Sequence, residues 1–258
     1  MQQRPADVDV KQSIKDMFFN KNRYRLDERF VLRDGKKHPL AILVPGGGYY
    51  MVSSFIEGVP VAKKLNEKGI SAIIVYYRVK KKAKYPAPME DLARAIREIS
   101  DRSKAMGLDM EHYSIWGASA GGHLTAAFGT EHMGYMKYNL PKPDTLVLAY
   151  PVISMERGKT HVGSHDNLLG KNADTEQEAF ASVEHHIHPD YPKTFIWCSD
   201  DDNIVNPDNT RDMVAALKKA NVPVECRIYH GVPHGSGPAS GTVAENWMNE
   251  AIAFWMEK

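Results

Sequence analysis

Residues 113–128 read YSIWGASAGGHLTAAF, and this stretch decides the fold. The run Tyr113–Trp116 is apolar and has the length of a buried strand, while Ala120–Glu131 has the composition of a helix. Between them lies Gly117-Ala118-Ser119-Ala120-Gly121, a G-x-S-x-G motif at a strand-to-helix turn. A strand that turns sharply into a helix is one βα unit, so the segment predicts a parallel sheet flanked by helices.

Steric crowding explains the two glycines of this motif. A serine at such a turn has a strained backbone, and side chains two residues before and after it would collide with their surroundings, which favours Gly117 and Gly121. The first N–H groups of the following helix, together with its positive dipole end, face any negative charge that develops beside the serine. The context therefore predicts that Ser119 is a nucleophile. The alternative is an ordinary glycine-rich turn.

The alternation of strand and helix continues on both sides of this unit. Further apolar runs are too short for helices and are continuously hydrophobic, which is typical of strands buried on both faces. They are Leu40–Val44, Ile70–Tyr77, Thr145–Tyr150, Thr194–Cys198 and Val224–Tyr229. Helical patterns separate them at Val59–Lys68, Met89–Met106 and Asp208–Ala220, and a last one runs from Thr242 to the C-terminus. The sequence predicts a doubly wound, mostly parallel α/β sheet.

Two segments depart from this alternation. Arg29–Leu32 precedes a turn and is a candidate antiparallel edge strand of a mixed sheet. Residues 152–192 form a polar, histidine-rich insertion with one helical pattern, at Thr175–Val183. Long insertions of this kind commonly carry function. We expect residues 152–192 to form a small cap over the site.

Size and charge limit the class of protein. A chain of 258 residues can bury one large core, so we expect a single domain over residues 1–258. The formal net charge of +1, from 33 basic and 32 acidic residues, provides no overall field that would attract nucleic acid or an anionic membrane. The densest basic run, Lys80 to Lys84, is interpreted as a solvated loop without a function. Whether copies of the chain associate as a homo-oligomer is left open.

The compartment is inferred from the N-terminus and the cysteines. Met1–Val10 lacks the apolar stretch of a signal peptide, and no run approaches the length that spans a membrane. We therefore expect a cytoplasmic location. Cys198 and Cys226 lie in apolar strand-like runs and are interpreted as core thiols rather than as a disulfide.

A nucleophilic serine needs a base and a carboxylate that orients the base, and in this type of sheet the acid and then the histidine follow the serine along the chain. His234 lies in a free loop after the last predicted strand, whereas His230 adjoins the end of that strand. Asp200, Asp201 and Asp202 follow the preceding strand and compete for the acid role. Because open α/β sheets place their ligands at the carboxyl ends of strands, we favour His234 and Asp202. Asp200 and Asp201 stay alternatives.

A glycine run ends the first core strand, in Pro45-Gly46-Gly47-Gly48-Tyr49. Backbone N–H groups of glycines can approach a substrate closely because no side chain intervenes. We expect the amides of Gly47, Gly48 and Ala120 to form an oxyanion hole. A phosphate-binding loop is the rival interpretation, but no Lys-Ser or Lys-Thr pair follows the glycines.

Other histidines are interpreted as structural. His123 lies one turn into the predicted nucleophile helix, where hydrogen-bonded packing is the commoner role of a histidine. His185, His186 and His188 are close in sequence, but a zinc site needs a fixed geometry and usually a separate pair of ligands. Serine-based chemistry needs no metal, so we expect neither a metal nor a cofactor.

Together these motifs resemble the carbohydrate-esterase-like branch of the α/β hydrolases, whose relatives include acetyl xylan esterases and feruloyl-esterase-type proteins. The likeness covers most of the chain from about residue 38 onward. It is carried by Pro45–Tyr49, Glu57-Gly58, Tyr77-Arg78, Pro86-Ala87-Pro88 with Asp91, Gly117–Leu124, Asn167–Gly170 and Pro233-His234-Gly235.

The resemblance implies an α/β-hydrolase fold and a serine carboxylesterase. Position by position it assigns Ser119 as nucleophile, Asp202 as acid and His234 as base, with the amides of Gly47, Gly48 and Ala120 as oxyanion donors. The implied substrate is a small-molecule ester with a short acyl group such as acetyl, on an alcohol such as a sugar, and no cofactor is implied. A peptidase of the same fold and a non-catalytic binding protein of this fold stay alternatives.

Two positions depart from the family pattern. Pro45 stands where many related lipases and esterases have a histidine before the glycines, which resembles the sugar-esterase branch. Val205-Asn206 stands where Val-Pro is common after the acid.

Overall fold

The computed structural model describes residues 24–257. Its strands are β1 (Arg25–Phe30), β2 (His38–Val44), β3 (Ser71–Tyr76), β4 (Leu108–Ala118), β5 (Thr145–Ala149), β6 (Lys193–Ser199) and β7 (Val224–Tyr229). Its helices are α1 (Val59–Glu67), α2 (Ala87–Met106), α3 (Ser119–Phe128), α4 (Val162–Leu168), α5 (Thr175–Ala181), α6 (Asp208–Lys219) and α7 (Trp247–Met256). Shorter helical turns cover Ser54–Gly58, Lys80–Lys82 and Val183–His186.

All seven strands belong to one sheet in the order β1-β3-β2-β4-β5-β6-β7. The strands from β2 to β7 pair in parallel, and β1 pairs antiparallel with β3 at one edge, with Arg25 opposite Tyr76. The predicted doubly wound, mostly parallel sheet is confirmed. The predicted antiparallel edge strand is also present, but it covers Arg25–Phe30 instead of Arg29–Leu32.

The central strands are buried on both faces because helices cover the sheet on both sides. Every residue of β3 and β5 is buried, which explains why their sequences are continuously apolar rather than alternating. Helix α3 is buried over its whole length, and its alanines and glycines allow this close approach to the sheet. Ser119 therefore lies at the carboxyl end of β4, the central strand of the sheet.

Two predicted helix boundaries are wrong. The C-terminal helix begins at Trp247 rather than Thr242, because Ala239 and Gly241 have φ angles of 53° and 76° and hold the chain in turns. The nucleophile helix ends at Phe128 rather than Glu131. The chain folds back there so closely that a Cβ on Gly134 would lie 1.8 Å from the Phe128 carbonyl oxygen.

The insertion at residues 152–192 contains α4, which was not predicted, and α5, which was. Helix α4 has only seven residues and lacks a hydrophobic stripe, so periodicity could not reveal it. His161 caps it by accepting a hydrogen bond from the Ser164 amide. Helix α5 begins with a capping box between Asp174 and Gln177.

Within residues 24–257, none of the helices is long and apolar enough to cross a membrane. Cys198 and Cys226 are both free thiols, as predicted, one buried and one half-buried. Met1–Val10, on which the expected cytoplasmic location rests, lies outside the described residues, and that location stays a prediction.

Candidate active site

Ser119 is the first residue of α3 and follows β4 directly. Its φ of 51° lies in the left-handed region, which is strained for a residue with a side chain. A Cβ on Gly121 would lie 2.0 Å from the Val44 carbonyl oxygen, and one on Gly117 would lie 2.3 Å from the Thr125 hydroxyl oxygen. Both positions therefore require glycine. The steric explanation that the motif suggested agrees with these contacts.

The structure brings the three predicted catalytic side chains into one hydrogen-bonded chain. The Nε2 of His234 is 2.9 Å from the Ser119 Oγ, and its Nδ1 is 2.7 Å from the Asp202 Oδ2. An ionised carboxylate can only accept, so Nδ1 carries the ring proton and Nε2 accepts from the serine hydroxyl. This proton arrangement is the one in which a histidine can act as a base toward serine.

Each of the three side chains comes from the carboxyl end of a different strand. Ser119 follows β4, Asp202 lies in the loop after β6, and His234 lies in the loop after β7. Parallel strands end at the same edge of a sheet, so residues far apart in sequence meet there. All three side chains are largely buried; that of Asp202 is 1% exposed and that of His234 is 12% exposed.

The competing aspartates have other partners. Asp201 accepts from the Ser199 hydroxyl and the Gly231 amide, and Asp200 lies 2.8 Å from the Nδ1 of His230 at the surface. Of the three adjacent carboxylates, the structure places only Asp202 beside His234.

The Asp202 carboxylate is held as an anion by several donors. Its Oδ1 accepts from the amides of Ile204 at 2.9 Å and Val205 at 3.0 Å, which leaves Oδ2 for His234. Burial raises the pKa of Asp202, but the hydrogen bond and charge of His234 and the two amides outweigh it, so this pKa lies below its usual value. Asp202 can therefore stabilise a positive charge on His234.

The glycine loop forms one wall of the cavity that contains Ser119 and His234. Gly47 and Gly48 line this cavity, whose volume is about 340 Å³, and their φ angles of 115° and 63° favour glycine. Ala120 follows Ser119 in the first turn of α3, where helix N–H groups have no partner within the helix. The oxyanion role of these three amides stays a prediction, and the geometry is compatible with it.

A buried carboxylate that was given no role in the sequence holds the glycine loop. The Glu57 Oε2 accepts the Gly46 amide hydrogen at 2.7 Å, and Glu57 also lines the cavity that contains Ser119. Burial raises the pKa of Glu57, although the Gly46 hydrogen bond, His234 and the Tyr150 hydroxyl favour its ionised form. The signal in the sequence is a single charged residue in the otherwise apolar stretch 55–62.

Tyr150 was also missed. Its ring centroid lies 4.8 Å from that of His234, and its hydroxyl accepts the Gly237 amide hydrogen at 3.0 Å. The ring therefore packs against the imidazole and limits its rotation. Tyr150 ends the run predicted as a strand, and nothing in that run indicated a contact with His234.

The insertion at residues 152–192, which we call the cap, lines the same cavity with two polar side chains, His161 and Asn167. The Nδ1 of His161 accepts the Ser164 amide hydrogen at 3.2 Å, so the neutral ring carries its proton on Nε2. Burial lowers the pKa of His161, and the nearby charge of His234 lowers it further, which favours this neutral form. Asn167 donates from Nδ2 to the Gly48 carbonyl at 2.9 Å and ties the cap to the glycine loop.

The geometry of His123 agrees with a structural role. Its Nε2 donates to the Ala181 carbonyl at 2.8 Å, and its Nδ1 accepts from the Tyr49 hydroxyl at 2.8 Å. Burial lowers the pKa of His123 to about 4. The side chain is buried and neutral, and it makes no hydrogen bond to Ser119, His234 or Asp202.

The three clustered histidines of the cap point to different partners. His185 pairs with Glu156, while His186 and His188 contact the carbonyls of Ala179 and Gly129.

Among the described residues, two groups bring possible metal-ligand atoms within 4.8 Å of one another. They are Glu156, Glu184 and His185, and Asp200, Asp201 and His230. None of these residues lines the cavity that contains Ser119.

Comparison with known proteins identifies relatives that cover most of the chain. The model of the BD-FAE family matches residues 26–217. Acetylxylan esterase of Xylanibacter ruminicola is 30% identical over 83% of this chain and 44% of its own length. Endo-1,4-beta-xylanase B of Butyrivibrio fibrisolvens is 29% identical over 84% of this chain and 35% of its own length. The chain thus spans less than half the length of these two relatives.

Solved structures agree with the sequence relatives. The acetyl ester-xyloside bifunctional hydrolase of Caldicellulosiruptor lactoaceticus superposes with a TM-score of 0.79 at 35% identity, over 88% of this chain and 85% of that one. A carboxylesterase of Lactobacillus plantarum shares the fold, with a TM-score of 0.75 at 21% identity over 90% of both chains. The family match, which extends over most of the sheet described above, shows that the chain belongs to the BD-FAE family of α/β hydrolases.

Proposed function

We propose that the protein is a serine carboxylesterase that hydrolyses short-chain acyl esters, acetyl above all, on sugars. The observation that carries the proposal is the hydrogen-bonded chain from Ser119 through His234 to Asp202, whose serine and histidine line the same cavity as Gly47 and Gly48. Support for the substrate comes from two similar proteins whose names refer to acetyl esters, an acetylxylan esterase and an acetyl ester-xyloside hydrolase.

In the acylation half, the Ser119 Oγ attacks the ester carbonyl carbon while the Nε2 of His234 takes the hydroxyl proton. The carbonyl oxygen becomes an oxyanion that the amides of Gly47, Gly48 and Ala120 stabilise. Asp202 balances the positive imidazolium. The tetrahedral intermediate then breaks its bond to the alcohol oxygen, which receives the proton from Nε2.

In the deacylation half, a water molecule attacks the carbonyl carbon of the acyl-serine and gives one proton to the Nε2 of His234. The second tetrahedral intermediate breaks its bond to the Ser119 Oγ, which takes that proton back. The products are a carboxylic acid and the free alcohol, and the enzyme returns to its starting state. No cofactor takes part in this scheme.

The cavity supports a short acyl group on a polar alcohol. Its volume of about 340 Å³ is at the lower end for small-molecule sites. Its lining includes the polar side chains of Ser53, His161 and Asn167, which can hydrogen-bond sugar hydroxyls. A long acyl chain would instead require a continuous apolar channel.

The test is a Ser119→Ala variant beside a Ser103→Ala control, which changes a serine on the remote helix α2. Wild type and control should hydrolyse p-nitrophenyl acetate and acetylated xylosides and react with a fluorophosphonate probe, whereas Ser119→Ala should lose about 10⁶-fold in kcat and all labelling. Labelling that persists in Ser119→Ala would overturn the proposal.

The same wild-type protein tests the substrate class. Faster turnover of a long-chain ester than of the acetate would overturn the short-acyl preference, and faster turnover of aminoacyl amides than of the acetate would indicate a peptidase.

A further inference from the structure

Two carboxylates and an imidazole meet where the two ends of the cap come together. Glu156 lies near the start of the cap, and Glu184 and His185 lie in the helical turn Val183–His186 near its end. Glu156 and His185 are 29 residues apart in sequence, yet the possible ligand atoms of all three residues lie within 4.8 Å of one another. We call these three residues the cap cluster.

Glu184 is the unusual member of the cap cluster. Its side chain is only 6% exposed, and neither of its two buried carboxylate oxygens has a hydrogen-bond partner. Burial raises the pKa of Glu184, and its own amide, the nearby Ser154 hydroxyl and His185 offset this only in part. A buried carboxylate without a partner is unfavourable, so a cation beside these oxygens would stabilise the protein.

The charges around the cap cluster favour the binding of a cation. Glu156 and Glu184 are two acidic groups close together, and a neutral His185 does not balance them. Lys159 is close enough to interact with both carboxylates, but its Nζ lies 2.9 Å from the Asp212 Oδ2, which takes up its charge. The cap cluster therefore has acceptor atoms in excess of donors.

The distances within the cap cluster suit a zinc ion. The Nε2 of His185 lies 2.8 Å from the Glu156 Oε1 and 4.0 Å from the Glu184 Oε1. Zinc binds imidazole nitrogen and carboxylate oxygen at about 2.0–2.2 Å, which places two ligands of one ion roughly 3 to 4 Å apart. A zinc ion would replace the proton between Nε2 and Glu156. The side chain of His185 is 42% exposed, so water can reach the cluster as a further ligand.

The backbone holds the two ligand-bearing segments together. The Met155 amide donates to the Ser182 hydroxyl at 2.8 Å, and the Val183 amide donates to the Ile153 carbonyl at 3.2 Å. Each of these hydrogen bonds joins a residue near Glu156 to one near Glu184. The three ligands are therefore brought together by the fold, and a metal ion would not have to gather them from separate mobile segments.

The second group of possible ligands, Asp200, Asp201 and His230, lacks these features. All three residues are exposed, and both aspartates already accept hydrogen bonds. Its composition matches that of the cap cluster, with two carboxylates and one imidazole, but it contains no buried carboxylate without a partner. This group therefore supplies a matched control.

We propose that the cap cluster binds a zinc ion through Glu156, Glu184 and His185, and that this ion joins the two ends of the cap. The sequence of the histidine run lacked a separate pair of ligands, and the structure supplies that pair as the two glutamates. An imidazole ligand favours zinc over calcium and magnesium, which prefer oxygen ligands. The ion has a structural role, because none of the three residues lines the cavity that contains Ser119. The inference does not depend on the proposed esterase function.

The first experiment adds zinc chloride to protein freed of metal with a chelator. A zinc ion bound with a Kd of about 1 µM should raise the midpoint of thermal unfolding by about 5 °C at about 100 µM zinc. Calcium and magnesium at the same concentration should not change the midpoint. The absence of a zinc effect, or an equal effect of calcium, would overturn the proposal.

Matched variants locate the ion. His185→Gln and Glu184→Gln should weaken zinc binding, measured by calorimetry, at least about tenfold, whereas His230→Gln in the control group should retain the wild-type Kd. An equal loss in His185→Gln and His230→Gln would mean general binding to surface histidines and would overturn the site.

Glu184→Gln also separates a metal ligand from a carboxylate that the fold needs. The glutamine keeps the size of the side chain but removes its charge, so without zinc this variant should unfold at the same temperature as wild type or at a higher one. In the presence of zinc the order should reverse, because only the wild type gains the ion. A Glu184→Gln variant that unfolds at a lower temperature than wild type even without zinc would show that Glu184 has another partner and would overturn the proposal.

Discussion

Asp202 uses its two carboxylate oxygens for different tasks. Oδ1 accepts the Ile204 and Val205 amide hydrogens, and Oδ2 accepts the Nδ1 proton of His234. The two backbone amides therefore fix the orientation of the Asp202 carboxylate independently of its contact with His234. Asp200, two residues earlier, contacts the exposed His230 instead.

This difference predicts the outcome of two matched substitutions. Asp202→Asn should lower kcat by about 10⁴, because an amide can donate to Nδ1 and then favours the tautomer with the proton on Nε2. Asp200→Asn should keep kcat within about twofold of wild type, because its partner is an exposed surface histidine. Steady-state kinetics on p-nitrophenyl acetate measures both. A larger loss in Asp200→Asn than in Asp202→Asn would contradict the assignment of the acid.

Glu57 acts on the glycine loop through the Gly46 amide. Glu57→Gln keeps an acceptor oxygen for this amide, whereas Glu57→Ala leaves a buried N–H without a partner. We therefore expect Glu57→Ala to lower kcat by about tenfold to a hundredfold with little change in KM, and Glu57→Gln to recover most of that loss. Steady-state kinetics separates kcat from KM. Equal kcat values in the two variants would show that the Gly46 hydrogen bond is not what matters.

At the scale of elements, α3 has two roles: it presents Ser119, and it joins the glycine loop to the cap. His123 makes this connection from the buried face of the helix. Its ring contacts the Tyr49 hydroxyl on one side and the Ala181 carbonyl at the end of α5 on the other. The ring must be neutral for Nδ1 to accept from the Tyr49 hydroxyl, whereas Nε2 can donate to the Ala181 carbonyl in either protonation state.

The buried neutral His123 predicts a pH dependence of stability. Its pKa is about 4 in the folded protein against 6.5 for an ordinary histidine, so the unfolded chain binds one more proton between these pH values. The contribution of this histidine is complete above pH 6.5 and falls by about 3 kcal/mol as the pH drops to 4. His123→Gln should show a smaller decrease in the free energy of unfolding between these pH values, measured by urea denaturation. Identical pH slopes in the two proteins would count against this role.

At the scale of the whole molecule, the site is assembled from four separate parts of the chain. The glycine loop follows β2, Ser119 follows β4, and the acid and base follow β6 and β7. The cap closes this arrangement through Asn167, which lies 119 residues from its partner Gly48. Loop, cap and sheet thus depend on one another for their positions.

Removing the contact between cap and loop should affect the site more than the fold. Asn167→Ala frees the Gly48 carbonyl, and we expect kcat to fall by about tenfold because the Gly48 amide is less well oriented. Asn172→Ala, at an exposed position of the same cap, should leave kcat unchanged. Both variants should unfold within a few degrees of wild type in a thermal melt. A loss of kcat in Asn172→Ala of the same size would assign the effect to the cap in general.

The sequence by itself determined the features that depend on neighbouring residues. The alternation of apolar runs and helical stretches predicts the sheet, because burial on both faces leaves a continuous hydrophobic strand. The glycines around Ser119 and in the loop Gly46–Gly48 are visible in the sequence as motifs, although the atoms that exclude a Cβ at Gly46 and Gly121 belong to segments far away along the chain. Chain order then identified His234 and limited the acid to Asp200, Asp201 or Asp202.

Only the tertiary structure decided which aspartate faces His234, that Glu57 and Tyr150 support the site, and that two carboxylates and an imidazole of the cap meet. Each of these facts depends on the direction of a side chain after a loop, or on contact between segments far apart in sequence. Hydrophobic periodicity carries no information on either, because it reports burial within one element and not the partner across the fold. The carboxylate of Asp202 and the ring of His234 meet only because two parallel strands end at the same edge of the sheet.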